Sequence, residues 1–128
     1  MNLRDYFETT QGFGVLATAS ADGTVDAAVY ARPHVIDDQT VAFLMADRLS
    51  HANLQSNPHA AYLFHEADKG FKGKRLHLTR IAEETDPEKI QALRRPNSPR
   101  SCVPKESETS TLVTFRVDRV RPLVGEAD

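Results

Sequence analysis

The chain has 128 residues, 40% hydrophobic and 27% charged, with no Trp and a single cysteine, Cys102. That length makes one domain, residues 1–128, with an apolar core of its own, and one cysteine excludes an internally disulfide-stapled scaffold. No run of about 18 apolar residues occurs, which excludes an ordinary membrane-spanning helix, and a formal charge of −2 argues against broad attraction to nucleic acid. The opening Met1–Tyr6 stretch has no charged-then-apolar leader pattern, so the expected compartment is the cytoplasm. Charge is nonetheless uneven: residues 1–68 hold three basic and nine acidic side chains, residues 69–128 thirteen and nine. The second half is the better source of a local anion site.

Leu3, Tyr6 and Phe7 share one side at helical spacing, which predicts a short helix over Leu3–Thr10, ended by Gly12 and Gly14. Val15–Ala19 and Val25–Ala31 read as strands joined at Asp22-Gly23, a pair suited to a hairpin turn with positive φ. Pro33 marks a strand end or an edge. Val35-Ile36 and the nearly all-apolar Thr40–Met45 follow. Ser50 reads as the cap of a helix over His51–Ser56 with Leu54 inward, stopped by Asn57-Pro58. Ala60–Phe64 and Leu76–Ala82 are strands around a charged, glycine-containing bend at 66–75. Thr85 and Glu88 are spaced as a capping box for a further helix whose inward face is Ile90 and Leu93. Residues 96–110, with three prolines and four serines, form a long polar loop. Leu112–Asp118 alternates, with Val113, Phe115 and Val117 on one face. Hairpin connections dominate, so the expected fold is a mainly antiparallel β-barrel or sandwich with two or three short helices.

Few residues carry an obvious chemistry. The five histidines, His34, His51, His59, His65 and His77, show no metal-ligand spacing, so no metal site is expected. Cys102 has no local partner, and Ser50 and His51 are adjacent on a helix and so point apart. Catalytic residues stay unassigned. Gly70-Phe71-Lys72-Gly73-Lys74-Arg75 is a basic bend, and without a Ser or Thr after Gly-Lys it is not a phosphate loop. Arg48 and Ser50 stand where a strand runs into a helix. Free backbone N–H groups there attract an anion, to which Arg adds a planar charged fork and Ser a neutral donor. Phosphate is the natural ligand of such a set, and a plain helix cap is the other reading.

The order Gly14-Val15-Leu16-Ala17-Thr18, Asp22-Gly23, Val29-Tyr30, Thr40–Met45, Arg48-Leu49-Ser50-His51-Ala52-Asn53-Leu54 and Asn57-Pro58, followed by Ala61–Phe64, Arg75–Thr79 and Val113–Phe115, resembles the pyridoxamine-phosphate-oxidase-like family, the FMN-binding split barrels. The resemblance covers about residues 3–124. It implies a six-stranded antiparallel split barrel, a homodimer with the cofactor at the subunit interface, FMN as cofactor, and an oxidoreductase acting on a small-molecule substrate. Carried over, the phosphate falls to Arg48, Ser50 and Asn53. The ring falls to the strands Ala28–Arg32 and Phe43–Ala46, among them Val29, Tyr30, Ala31, Leu44 and Met45. Two departures matter. Many members have a lysine at or beside the Leu49-Ser50 position, which leaves part of the phosphate charge to Lys69, Lys72, Lys74 or Arg75. The chain is also shorter than true pyridoxamine-phosphate oxidases and lacks the C-terminal segment that recognises the vitamin phosphate. The family name is therefore not the reaction. A binding protein of the same fold, carrying flavin, haem or a deazaflavin without turnover, is the alternative, with His51, His65 and His77 as the haem candidates.

Overall fold

A computed structural model of the chain describes residues 2–46, 49–68, 70–86, 88 and 110–125. The expected helix after Thr85, nearly all of the 96–110 loop with Cys102, and Arg48 lie outside them.

The elements run α1 (Leu3–Thr9), β1 (Gly12–Ala19), β2 (Val25–Tyr30), β3 (His34–Asp37), β4 (Thr40–Ala46), α2 (Leu49–Ser56), β5 (His59–Glu66), β6 (Gly73–Glu84) and β7 (Ser110–Pro122). All seven strands form one antiparallel sheet in the order β2-β1-β5-β6-β7-β4-β3. The fold is mainly β, as the hairpin-rich sequence implied. The strand beyond the six that the resemblance implied is β3, four residues paired only to β4.

Among the described residues the sheet wraps around a main core, with a small second cluster of Ala42 and Leu112 outside it. Leu16 of β1, Val41, Phe43 and Met45 of β4, Tyr62 and Phe64 of β5, Leu76 and Leu78 of β6, and Val113 and Phe115 of β7 are buried together with Leu3 and Phe7 of α1 and Leu54 of α2. Ring contacts cross the interior from Phe7 to Phe64 at 5.3 Å and from Phe43 to Tyr62 at 4.8 Å. The long β6–β7 pair carries irregularities at His77/Leu78 and Arg80/Ala82, and such bulges bend a sheet and raise its twist.

The β1–β2 hairpin departs from the two-residue turn that Asp-Gly suggests. Ser20 N–H donates to Thr24 O at 2.9 Å and Gly23 N–H to Ser20 O at 3.0 Å. Only Gly23 takes a left-handed φ, 89°, while Asp22 does not. This is a three-residue loop closed by a glycine bulge. Asp22 Oδ1 accepts from Thr24 N–H and from the Ser20 hydroxyl, and the Ser20 bond is the main reason its carboxyl is held below the usual range.

α1 lies over one end of the barrel. Asn2 caps it by accepting from Asp5 N–H, and Arg32 Nη1 donates to Phe7 O at 2.7 Å and to Thr10 O at 3.3 Å at its far end. Tyr6 O–H donates to Glu66 Oε2 at 2.7 Å, and Lys74 Nζ sits 4.7 Å from the centre of the Tyr6 ring. Burial, and then Glu66, push the Tyr6 phenol well up; burial pulls the Lys74 ammonium down.

Candidate functional site

α2 packs where β1, β2 and β4 come together. Its inward face is Ser50, Asn53 and Leu54, of which only Leu54 is apolar. The Asn53 amide donates to Thr18 Oγ1 at 3.1 Å, a bond between two buried side chains that docks the helix on β1. Asn53 therefore spends this donor on the fold. Ser50 is also buried, but it is not the cap that the sequence suggested. The helix begins at Leu49, so Ser50 occupies the first turn, where backbone N–H groups have no acceptor within the helix.

The outer side of α2 is tied to β6 through a carboxylate. His51 Nε2 lies 2.6 Å from Glu83 Oε1, Gln55 Nε2 donates to Glu83 Oε2 at 3.0 Å, and Arg80 Nη1 donates to the same oxygen at 3.0 Å. An ionised carboxylate only accepts, so His51 Nε2 carries the proton in this contact. Burial works to raise the Glu83 carboxyl, but the His51 and Gln55 hydrogen bonds and the charges of His51 and Arg80 outweigh it and hold the group low. Sequence reasoning missed this latch. Arg80 and Glu83 are three apart, which on a regular strand puts them on opposite faces; the irregularity at Arg80/Ala82 falls between the two side chains that meet here, and no local pattern joins either to His51.

The ring-binding candidates separate by strand face. Val29 points outward opposite Val15 and is exposed. Leu44 also faces outward, where it packs on buried Ala42 and Leu112. Tyr30 turns its ring toward Phe43, 5.9 Å away. The Tyr62 O–H approaches the carbonyls of Tyr30 and Ala31 at 3.2 and 3.0 Å, so these two backbone acceptors face the barrel interior. The Met45 side chain is fully buried in the core.

The basic bend does not reach the start of α2 within one chain. Glu66 pairs with Gly12 at one end of β1, whereas Asn53 meets Thr18 at the other. Six residues of strand span about 20 Å. Lys74 is folded onto Tyr6, and Arg75 donates to Pro122 O at 2.9 Å and to Gly125 O. Lys69 lies outside the described residues, and Lys72 is exposed on the bend. Among the described residues no three His, Cys, Asp or Glu side chains are grouped to hold a metal ion. Among the described residues, no helix is long and apolar enough to cross a membrane.

The family model described as Pyridoxamine 5'-phosphate oxidase matches residues 3–123. The chain belongs to the pyridoxamine 5'-phosphate oxidase-like family of FMN-binding split barrels. No curated protein matches it. Among solved structures of this family's fold, an FMN-binding protein from Syntrophomonas wolfei subsp. wolfei is similar at 19% identity, covering 98% of this chain and 86% of that one with a TM-score of 0.73. HupZ of Group A Streptococcus is similar at 16% identity over 94% and 90% of the two chains, TM-score 0.69. A protein described as F420 Reductase is similar at 15% identity over 91% and 94%, TM-score 0.67. At these identities the likeness is one of fold. Members of the family fold bind different small molecules, so family membership supports flavin-type binding without fixing a reaction.

Proposed function

We propose that this chain is a flavin-binding protein that takes FMN, with the cofactor phosphate at the start of α2 and the pocket completed by a second copy of the chain. The observation that carries this reading is the placement of α2 in a family member. Its first turn, with Ser50, sits at the junction of β1, β2 and β4. Free N–H groups and the helix dipole favour an anion there. Arg48 precedes that turn in sequence and supplies charge-assisted donors. The outward side chains of β2 and β4, Val29 and Leu44, are the apolar surface offered to the ring. A chain with one cysteine fits the reducing cytoplasm.

Bound FMN supplies redox chemistry, and the residues of this chain bind and orient it. Family membership supports flavin binding and does not extend to a reaction, so binding is the primary reading. Turnover of a small molecule as a flavin-dependent oxidoreductase is the narrower one. The likeness to a protein described as F420 Reductase makes a deazaflavin the second reading. Haem has less support: His51 is held by Glu83, while His65, stacked on Phe13, and His77 lie on strands away from α2.

Gel filtration of the protein after mixing with FMN tests the proposal, with flavin absorbance expected to co-elute. Arg48→Ala is expected to weaken FMN by about 1.5–3 kcal/mol and riboflavin far less, because only FMN has the phosphate. Equal weakening of both overturns the phosphate placement, and no retained FMN overturns the cofactor. Retained FMN that neither NADH nor NADPH reduces leaves binding standing and removes the support for a nicotinamide-driven oxidoreductase.

A further inference from the structure

We propose that Glu83 is a positioning residue for the cofactor phosphate: through His51 and Gln55 it fixes the first turn of α2 against β6. The inference rests on the FMN reading above and adds what holds the phosphate turn in place.

An eight-residue helix is too short to be stable by itself, so the placement of α2 depends on what its side chains grip. Leu54 and the Asn53–Thr18 bond hold its second half on the barrel. The first turn, which carries the free N–H groups, has no such apolar anchor. Leu49 is 58% exposed there, and Ser50, though buried, is polar. His51 carries this turn to another element.

The partner of His51 comes from 32 residues further along the chain. Glu83 pairs with Val113 of β7, and Val113 pairs with Phe43 of β4, the strand that precedes α2. Glu83 therefore reaches the helix from two strands away, and it grips at two points. Its Oε1 meets His51 Nε2 at 2.6 Å, and its Oε2 accepts from Gln55 Nε2 at 3.0 Å. Positions i and i+4 share one face of a helix, roughly 6 Å apart along its axis. A single contact would leave a pivot, whereas two contacts one turn apart fix both the rotation of the helix and its position along the axis. Asn53 stands about 200° round the helix from His51 and from Gln55, so its bond to Thr18 opposes them from the far side. Arg80 Nη1, 3.0 Å from Oε2, orients the carboxylate and offsets its charge, which lets an acid stand beside an anion-binding turn.

Ion pairs this near the surface add little net stability. What converging donors on one carboxylate supply is a fixed geometry. A phosphate site needs that geometry, because its N–H groups must converge on one point for the bonds to be short and straight. Charge and positioning predict opposite signs for the loss of Glu83. Removing an anion near a phosphate tightens FMN, whereas loosening the turn that binds the phosphate weakens it.

Flavin fluorescence titrations of the full chain with FMN and with riboflavin test this, at neutral pH and at a temperature where thermal unfolding shows each variant folded. Glu83→Gln keeps the shape but turns one acceptor oxygen into a donor, so it cannot accept from His51 on one side and from Gln55 and Arg80 on the other. It is expected to weaken FMN about fivefold or more and riboflavin less than about twofold. Gln55→Ala removes one grip and keeps the His51–Glu83 contact. It is expected to weaken FMN relative to riboflavin about two- to threefold, and it carries the test if Glu83→Gln does not fold. Asp37→Asn, at the turn before β4 and so at the opposite end of that strand from α2, is expected to leave both affinities unchanged. If wild type binds FMN and the folded Glu83 and Gln55 variants bind it as tightly or more tightly, the positioning role is overturned and the FMN reading stands. Equal weakening of FMN and riboflavin overturns the positioning role in the same way. A wild type that binds no FMN overturns the cofactor reading and this inference with it.

Discussion

Replacing Gly14 by alanine tests the packing that shapes the β2–β3 corner. Gly14 has no left-handed φ, so backbone freedom does not explain the glycine. By chain entropy alone, Gly14→Ala would be stabilising by about 0.4–1 kcal/mol. The structure predicts the opposite sign. A Cβ there would fall 2.0 Å from Tyr62 Oη and 2.2 Å from Cζ. Tyr62 is fully buried beside Phe43 and Phe7, with its hydroxyl on the Tyr30 and Ala31 carbonyls, so the ring has little room to retreat. Overpacking costs about 1–3 kcal/mol, and displacing the hydroxyl weakens its one donated hydrogen bond, shared between the two carbonyls and worth about 1 kcal/mol. The expected loss is about 2–4 kcal/mol, a fall in Tm of about 7–15 °C for a domain of this size. Thermal and urea unfolding of Gly14→Ala, Tyr62→Phe and the double variant measure it. In the Tyr62→Phe background the alanine is expected to cost about 1–2 kcal/mol less, because the closest atom and its hydrogen bond are already gone. An unchanged or raised Tm for Gly14→Ala, or strictly additive effects, would refute the argument.

Glu83 makes stability acid-sensitive. Its folded-state carboxyl is lowered, so its contribution is present above the ordinary carboxylate range and is lost as pH falls through the lowered value. Glu83→Gln is expected to cost about 1–2 kcal/mol at neutral pH after allowing for partial exposure, and to flatten the decline of the urea midpoint between about pH 5 and 3; an unchanged acid limb would contradict the latch. Asn53→Ala leaves the buried Thr18 hydroxyl without the Asn53 amide and is expected to cost about 1–3 kcal/mol. Near-wild-type urea unfolding of that variant would show that α2 does not depend on the bond.

How much of this was legible depended on the range of the interactions. The alternation of Val113, Phe115 and Val117 marked β7's inward face, and Leu3 with Phe7 marked α1's buried side, because side-chain period and burial are local consequences of strand and helix geometry. The order of short motifs from Gly14 to Phe115 sufficed to assign the family. α2 was harder to read, since its buried side is Ser50, Asn53 and Leu54, and two polar residues of three leave almost no apolar stripe. Tertiary packing decided that Ser50 lies inside the helix and that Asn53 serves Thr18. It also gathered His51, Gln55 and Arg80 onto Glu83. Local sequence did not say which face of β2 holds Val25 and Val29. The strand order leaves them on the outer face, because β2 has α2 and the barrel on one side only. Periodicity shows that a strand has an apolar face, while the partners brought by distant parts of the chain decide whether that face is covered.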